Sequence, residues 1–293
     1  MNKLQIWVKK FEKPVIVLHS GAGRVLSAYP RETRMFRKEL LNEFTSKSFE
    51  ILQNQGSRKA VLAALMQMED QHNFFNAGIG SKLQKDGKIR VSAALMDGQT
   101  RKLSSVYNAQ EIKNPSLIAD FLQDQRDSNV DGLGAEILRK KLGIEKTNLE
   151  TELQRKRWQN RIEGKTGTVG AVAVDETGNV FAGTSTGGKG FEFPGRVSDT
   201  PTPAGNFATS EIAISATGIG EKILNLNLCG AIAYKFSDGK SLYTAISESM
   251  LLLPPESSNI GIIAVTCSGE VGIAFTSEGM DVGIMDKNAQ ILM

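Results

Sequence analysis

A hydroxyl nucleophile needs a base beside it, and one threonine of this chain could supply both. Thr168 stands in the run Thr166-Gly167-Thr168-Val169-Gly170-Ala171-Val172-Ala173-Val174, where a charged stretch at about 137–165 gives way to a small-residue strand pattern. It is the first position of a buried strand, behind a segment that reads as built to be cut. Cleavage before Thr168 would leave its hydroxyl as nucleophile and its own freed α-amine as proton acceptor. An α-amine titrates at about 7.7–8.0, near the pH at which general-base catalysis works best. A glycine before the nucleophile permits backbone conformations that other residues resist. The spacing alone leaves open a plainer reading, in which Thr168 merely opens a strand as β-branched residues often do.

Other chemistries find less support. The chain has only two histidines. His72 lies beside Gln71 and Asn73 in a polar loop, and His19 ends a buried strand, where it would satisfy backbone groups. No cluster offers the three or four ligands of a zinc site. Gly183-Thr184-Ser185-Thr186-Gly187-Gly188-Lys189 has the spacing of a phosphate loop after a strand. Gly190, however, stands where a magnesium-binding Ser or Thr is required, and Phe191-Glu192-Phe193-Pro194-Gly195 cannot open the helix that would hold phosphate. Cys229 and Cys267 lack paired CxxC spacing and read as free thiols, which suits a reducing compartment. Elimination favours Thr168.

Three further segments suit that role. Thr184-Ser185-Thr186-Gly187-Gly188 puts hydroxyls at the end of the strand that pairs with the one Thr168 starts, so a tight hairpin brings them together. Arg196 and Asp199 offer a guanidinium and a carboxylate three residues apart on a Gly/Pro loop. They complement the carboxylate and ammonium of a free α-amino acid, although the same pair could be a surface ion pair. Thr217-Gly218-Ile219-Gly220-Glu221 falls between a strand and a helix. Its N–H groups and hydroxyl could stabilise a tetrahedral oxyanion, or could simply cap the helix.

The elements that must position these groups follow from periodicity. The pattern predicts a strand at 15–18, helices at about 30–55 and 57–70, a loop at 76–80 and a strand pair joined near Asp86-Gly87. A helix starts at Asn114-Pro115-Ser116, and the charged stretch at 137–165 reads as a solvated helix or linker. Strands at 169–174 and 180–186 flank a turn-rich loop, and another lies at 212–215. Helices at about 219–235 and 240–253 precede a last hairpin, 260–266 with 271–276. There is no internal repeat. Small apolar residues on both strand faces imply sheets covered twice, hence an α+β chain with two stacked sheets between helix layers, αββα. With 40% apolar residues the chain can bury a core without disulfide or metal staples. A net charge of +3 with no basic patch interleaved with aromatics argues against nucleic acid. The charge-broken N-terminus is no secretory signal, and no run of about 18 apolar residues spans a membrane, so a cytoplasmic protein is expected.

Taken together, His19-Ser20-Gly21-Ala22-Gly23, Phe75-Asn76-Ala77-Gly78, Met96-Asp97-Gly98, Gly167 to Ala173, Thr184 to Gly188, Pro194 to Asp199 and Thr217 to Glu221 resemble, in order and spacing, the plant-type asparaginase/isoaspartyl aminopeptidase family of N-terminal-nucleophile threonine hydrolases. The likeness runs from Val15 to about Met280. It implies a four-layer αββα sandwich, a single domain over 1–293, and self-cleavage at the Gly167–Thr168 bond into 1–167 and 168–293. It implies hydrolysis of β-aspartyl amides, in isoaspartyl dipeptides and L-asparagine, by dimers of processed αβ units. By motif, Thr168 would be nucleophile and base, Thr186 would orient it, and Asn76 would support it. Thr217 and Gly218 would form the oxyanion hole. Arg196 would hold the substrate α-carboxylate, and Asp199 with the Gly220 backbone its α-amine.

No cofactor is implied. The family's loop that often wraps a sodium ion with backbone carbonyls corresponds to Met68 to Phe75, which is one residue longer than usual and lacks its common proline; the resemblance leaves a structural sodium open there, and no metal ligand is expected among the site residues. Ser20 replaces a usual glycine, and Lys189 to Phe193 differ from the commoner polar stretch, which bears on the leaving group. Glycosylasparaginases share the Thr168-like and Arg/Asp motifs but are usually secreted or lysosomal. A taspase-like endopeptidase should lack the Arg196/Asp199 clamp. An unprocessed, non-catalytic homologue is disfavoured by the complete set of hydroxyls.

Overall fold

Residues two apart along a strand share a face, and in the central strands both faces are apolar. The computed structural model describes residues 4–23, 30–72, 74–160, 167–254, 257 and 259–293. In chain order the elements are β1 (Gln5–Lys10), β2 (Val15–Gly23), α1 (Arg31–Glu69), β3 (Val91–Asp97), β4 (Lys102–Ala109), α2 (Pro115–Gln123), β5 (Asn129–Val130), α3 (Gly132–Lys141) and α4 (Glu152–Gln159). There follow β6 (Val169–Val174), β7 (Val180–Thr186), β8 (Asn206–Ala208), β9 (Ile212–Thr217), α5 (Gly220–Leu226), α6 (Leu228–Ser237), α7 (Leu242–Met250), β10 (Gly261–Thr266), β11 (Glu270–Phe275), β12 (Gly279–Met285) and β13 (Gln290–Leu292). They build two sheets, one of eight strands in the order β13-β12-β2-β6-β7-β3-β4-β5 and one of five, β1-β11-β10-β9-β8. The chain is thus a mixed α/β protein with two sheets.

Alternation divides the core in two. On β2, Ile16 and Leu18 join the apolar cluster under α1 and α2, while Val15 and Val17 join the cluster shared with the second sheet. On β6, Val169, Ala171 and Ala173 face the first cluster, Val172 and Val174 the second. Helix α1 packs on β2, β6 and β7, strands β6 and β7 pack on β9, and α6 and α7 pack on the second sheet. Burying β6 completely in the middle of the large sheet fixes the position of its first neighbour, Thr168.

Most expected elements form, with instructive shifts. The two expected helices at 30–55 and 57–70 are one element broken at Gly56, whose φ of 82° and ψ of 177° only glycine takes readily. Asn227, left-handed at φ 46°, likewise separates α5 from α6. The strand pair expected near Asp86-Gly87 is a correction. That segment is a turn with one isolated bridge, Leu83 to Ile89, and the paired strands are β3 and β4, joined farther on at 98–101. The stretch at 137–165 holds the end of α3 and all of α4, capped by Thr151, whose hydroxyl accepts the Gln154 N–H; residues 161–165 lie outside the described ones. The charge-broken segment at 5–10 is strand β1 at an edge, and the hairpin expected to be last is followed by β12 and β13. Among the described residues no helix is long and apolar enough to cross a membrane.

Candidate active site

Strands β6 and β7 run antiparallel with Val169 opposite Ser185, so the next step of the ladder sets Thr168 against Thr186. Their hydroxyl oxygens are 3.0 Å apart, and both residues are buried. The Thr186 hydroxyl also accepts the Gly188 N–H at 3.2 Å, which fixes its direction. Asn76 ties this end of both strands together. Its carbonyl accepts from Gly187 N–H at 2.7 Å, its side-chain amide donates to the Gly188 carbonyl, and its Oδ1 accepts from Lys82 N–H at 3.1 Å. Its own N–H donates to the Gly167 carbonyl at 3.2 Å, the carbonyl that a Thr168 hydroxyl would attack in the continuous chain. Gly167 is required for room rather than for an unusual backbone. It has no left-handed φ, and a Cβ there would lie 2.8 Å from the Asn76 Cβ.

Thr168 and Thr186 open into a cavity of about 230 Å³ that Arg196, Asp199, Gly218 and Gly220 also line. Arg196 and Asp199 do not form a surface ion pair. Asp199 is 3% exposed, and its Oδ2 has no hydrogen-bond partner among the described residues. Burial pushes its pKa up to about 7, against the pull of Arg196. Arg196 instead donates from Nε and one terminal nitrogen to both oxygens of Glu221, at 2.7 and 2.9 Å. Those hydrogen bonds hold the Glu221 carboxyl down to about 2, so it is ionised and orients the guanidinium. Gly220 sits between the two polar groups: a Cβ there would be 2.7 Å from the Arg196 terminal nitrogen and 2.8 Å from Asp199 Oδ1.

Gly218 reaches the cavity because it alone can turn there. Its φ is +147°, and a Cβ would approach the Asn259 carbonyl to 2.6 Å. Thr217 is fully buried behind it, its hydroxyl accepting the Ala22 N–H at 3.3 Å. Under the cavity the sheets are bridged by a polar chain. His19 Nδ1 accepts from Gly21 N–H, so Nε2 carries the proton and donates to Ser215 Oγ at 3.1 Å; Ser215 in turn meets Thr184 at 2.7 Å. Full burial pushes the His19 pKa down to about 3, which keeps the ring neutral and structural. A Cβ at Gly170 would fall 2.0 Å from Ser215 Oγ and 2.4 Å from His19 Nε2, so glycine there makes room for this bridge.

The structure therefore gathers Thr168, Thr186, Arg196, Asp199, Gly218 and Gly220 around one cavity. Asn76, Gly167 and Thr217 support it from behind. Sequence reasoning did not identify Glu221 as the partner of Arg196, nor Lys189, Ser198 and Asn259 as lining residues. Glu221 could have been suspected as the single acid next to the glycine motif, but its pairing spans 25 positions. Among the described residues no group of three or more His, Cys, Asp or Glu is placed to hold a metal ion.

The chain is similar to known proteins over most of its length. A model of the Asparaginase_2 family, described as asparaginase, matches residues 12–165 and 159–292. The isoaspartyl peptidase/L-asparaginase of Nostoc sp. is 35% identical over 90% of this chain and 89% of its own, and that of Synechocystis sp. 33% over 88% and 83%. The isoaspartyl peptidase of Escherichia coli is 31% identical over 92% of this chain and 91% of its own. Matches that run through both halves of the chain, on either side of Thr168, leave one assignment: the chain belongs to the Asparaginase_2 family.

Proposed function

We propose that this protein hydrolyses β-aspartyl amides, in isoaspartyl dipeptides and L-asparagine, with Thr168 as an N-terminal nucleophile freed by self-cleavage. The observation that carries the reading is the 3.0 Å contact between the Thr168 and Thr186 hydroxyls in a cavity that Arg196 and Asp199 also line, with Asp199 Oδ2 lacking a partner among the described residues. In the continuous chain the Thr168 hydroxyl attacks the Gly167 carbonyl, polarised by the Asn76 N–H. The Gly167–Thr168 C–N bond breaks as the acyl group passes to the Thr168 oxygen, which frees the α-amine, and water then hydrolyses the ester to release the hydroxyl and a Gly167 carboxylate. The amine then takes the hydroxyl proton when Thr168 attacks a substrate amide, and Thr186 directs the oxygen. The developing oxyanion is received at Gly218, with Thr217 behind it. Arg196, held by Glu221, presents its remaining donors to the substrate α-carboxylate, and Asp199 takes the α-ammonium. An α-linked peptide or a protein chain lacks these paired free groups, which favours this activity over a taspase-like endopeptidase.

The same reading makes the architecture the αββα sandwich of N-terminal-nucleophile hydrolases and the chain one domain cut into 1–167 and 168–293. It makes the working form a dimer of such units in the cytoplasm, consistent with the free thiols Cys229 and Cys267. It requires no cofactor. The carbonyls of Met68 and Glu69, in the segment corresponding to the sodium loop, accept N–H bonds from Gln71 and Ile79, and no step is assigned to a metal. The two products would be interleaved. In the large sheet β6, from the second, lies between β2 of the first and its own β7, and β1 of the first pairs with β11 of the second. Intact mass spectrometry after incubation with a β-aspartyl dipeptide tests the proposal: two polypeptides ending and starting at Gly167 and Thr168, co-migrating natively, with released amino acid. A full-length chain that still turns over the dipeptide would refute the mechanism.

A further inference from the structure

Two cations converge on one carboxylate at this cavity, and the proposed activity uses only one of them. Glu221 Oε1 lies 2.7 Å from Arg196 Nε and 3.7 Å from Lys189 Nζ. Arg196 takes both Glu221 oxygens in a two-point pairing, which leaves Lys189 a long, half-exposed contact of the kind that contributes little. Lys189 lines the cavity with Thr168 and Gly188. Its backbone is held in place. The Gly188 carbonyl accepts from the Asn76 amide, the Gly188 N–H donates to Thr186, and Phe191 N–H donates to the Leu83 carbonyl at 3.0 Å. The lysine is therefore a cation mounted on the segment that orients the nucleophile, with its charge incompletely compensated at the mouth of the cavity.

The two β-aspartyl substrates differ in what leaves. Asparagine releases ammonia. A β-aspartyl dipeptide releases an amino acid whose free α-carboxylate is one carbon from the scissile nitrogen. Its two carboxylates are six bonds apart and span roughly 6–7 Å, and a shared Glu221 oxygen puts the cationic nitrogens of Arg196 and Lys189 within roughly 6 Å. We propose that Lys189 receives the α-carboxylate of the departing amino acid, so that a free C-terminus on the leaving residue tightens binding of a β-aspartyl dipeptide. The inference rests on the proposed activity and adds the leaving-group side of its specificity.

The test compares a β-aspartyl dipeptide, the same dipeptide amidated at its C-terminus, and asparagine, with wild-type protein, Lys189→Met and Lys189→Arg. Methionine keeps the length and apolar stem and removes the charge. An exposed carboxylate–ammonium contact is worth about fivefold in affinity. Lys189→Met is expected to raise KM for the free dipeptide about fivefold with kcat little changed, to move kcat/KM for the amide and for asparagine less than twofold, and to be reversed by Lys189→Arg. Self-cleavage of each variant, read on the same gel, reports its folding. Equal changes on all three substrates, or no change on the free dipeptide, would overturn the role of Lys189 while leaving the activity standing. Wild-type protein inactive on all three would overturn the proposed activity, and this inference with it.

Discussion

Asp199 combines two properties that rarely serve stability together: it is almost completely buried, and one of its oxygens has no partner. Asp199→Asn keeps the shape and removes the charge, so it should lower activity while its stability relative to wild type climbs with pH. A carboxyl that titrates near 7 in the folded protein and near 3.8 in the unfolded chain binds more protons folded than unfolded between those values. Stability therefore falls as pH rises through that window and is level above it. At 1.36 kcal/mol per pH unit, the interval from pH 5 to pH 7 accounts for about 3 kcal/mol. Asparagine does not titrate, so whatever its amide costs in that pocket is the same at every pH. The stability of the variant relative to wild type should thus rise by about 3 kcal/mol between pH 5 and pH 8, on the order of 5–10 °C in Tm. Thermal melts in a Thr168→Ala background, where a single uncut chain unfolds, measure it. Glu69, whose pKa burial also pushes up to about 7, is common to both proteins and drops out of the difference. In the Thr168 background kcat/KM for a β-aspartyl dipeptide should fall roughly ten- to a hundredfold, the loss of a charge-assisted hydrogen bond. A stability difference that is flat with pH would refute the buried-charge account, and undiminished turnover would refute the role given to Asp199.

Three other outcomes follow from the same geometry. Thr168→Ala should give one full-length, folded, inactive species on a denaturing gel, whereas Thr168→Ser, which keeps a hydroxyl 3.0 Å from Thr186 in reach, should be cut slowly. Arg196→Ala should lower kcat/KM for small substrates roughly ten- to a hundredfold or more yet leave self-cleavage intact, because the Gly167–Thr168 bond presents no free α-carboxylate; equal loss of both would show that Arg196 holds the fold instead. Glutamine should be turned over at least about 100-fold less efficiently than asparagine, since one methylene moves its carbonyl by more than about 1 Å from Thr168 when Arg196 and Asp199 fix the α groups. Comparable rates on the two amides would rule that geometry out.

Local pattern was enough for what depends on neighbours in sequence. Strands 169–174 and 180–186 appear at their expected bounds because alternation, β-branching and a five-residue turn are all contained in that segment. The opposition of Thr168 to Thr186 follows from that hairpin register alone. Pattern failed where an element is defined by its partner. The charged segment at 5–10 becomes a strand only because β11 offers an edge, and β3 with β4 displaced the pair expected near Gly87.

The sequence by itself determined which residues could do chemistry: a threonine after a glycine, a second hydroxyl across a hairpin, an arginine and an aspartate three apart, and a Gly-rich turn. Tertiary structure decided their charge states and their partners. Asp199 reads as an ordinary acid in sequence and becomes a buried carboxyl with one unpartnered oxygen and a raised pKa only because the chain around it excludes water. Arg196 reads as the partner of Asp199 and is held by Glu221, brought from the start of α5 by the fold. Desolvation and long-range pairing depend on three-dimensional surroundings, and no local pattern encodes them.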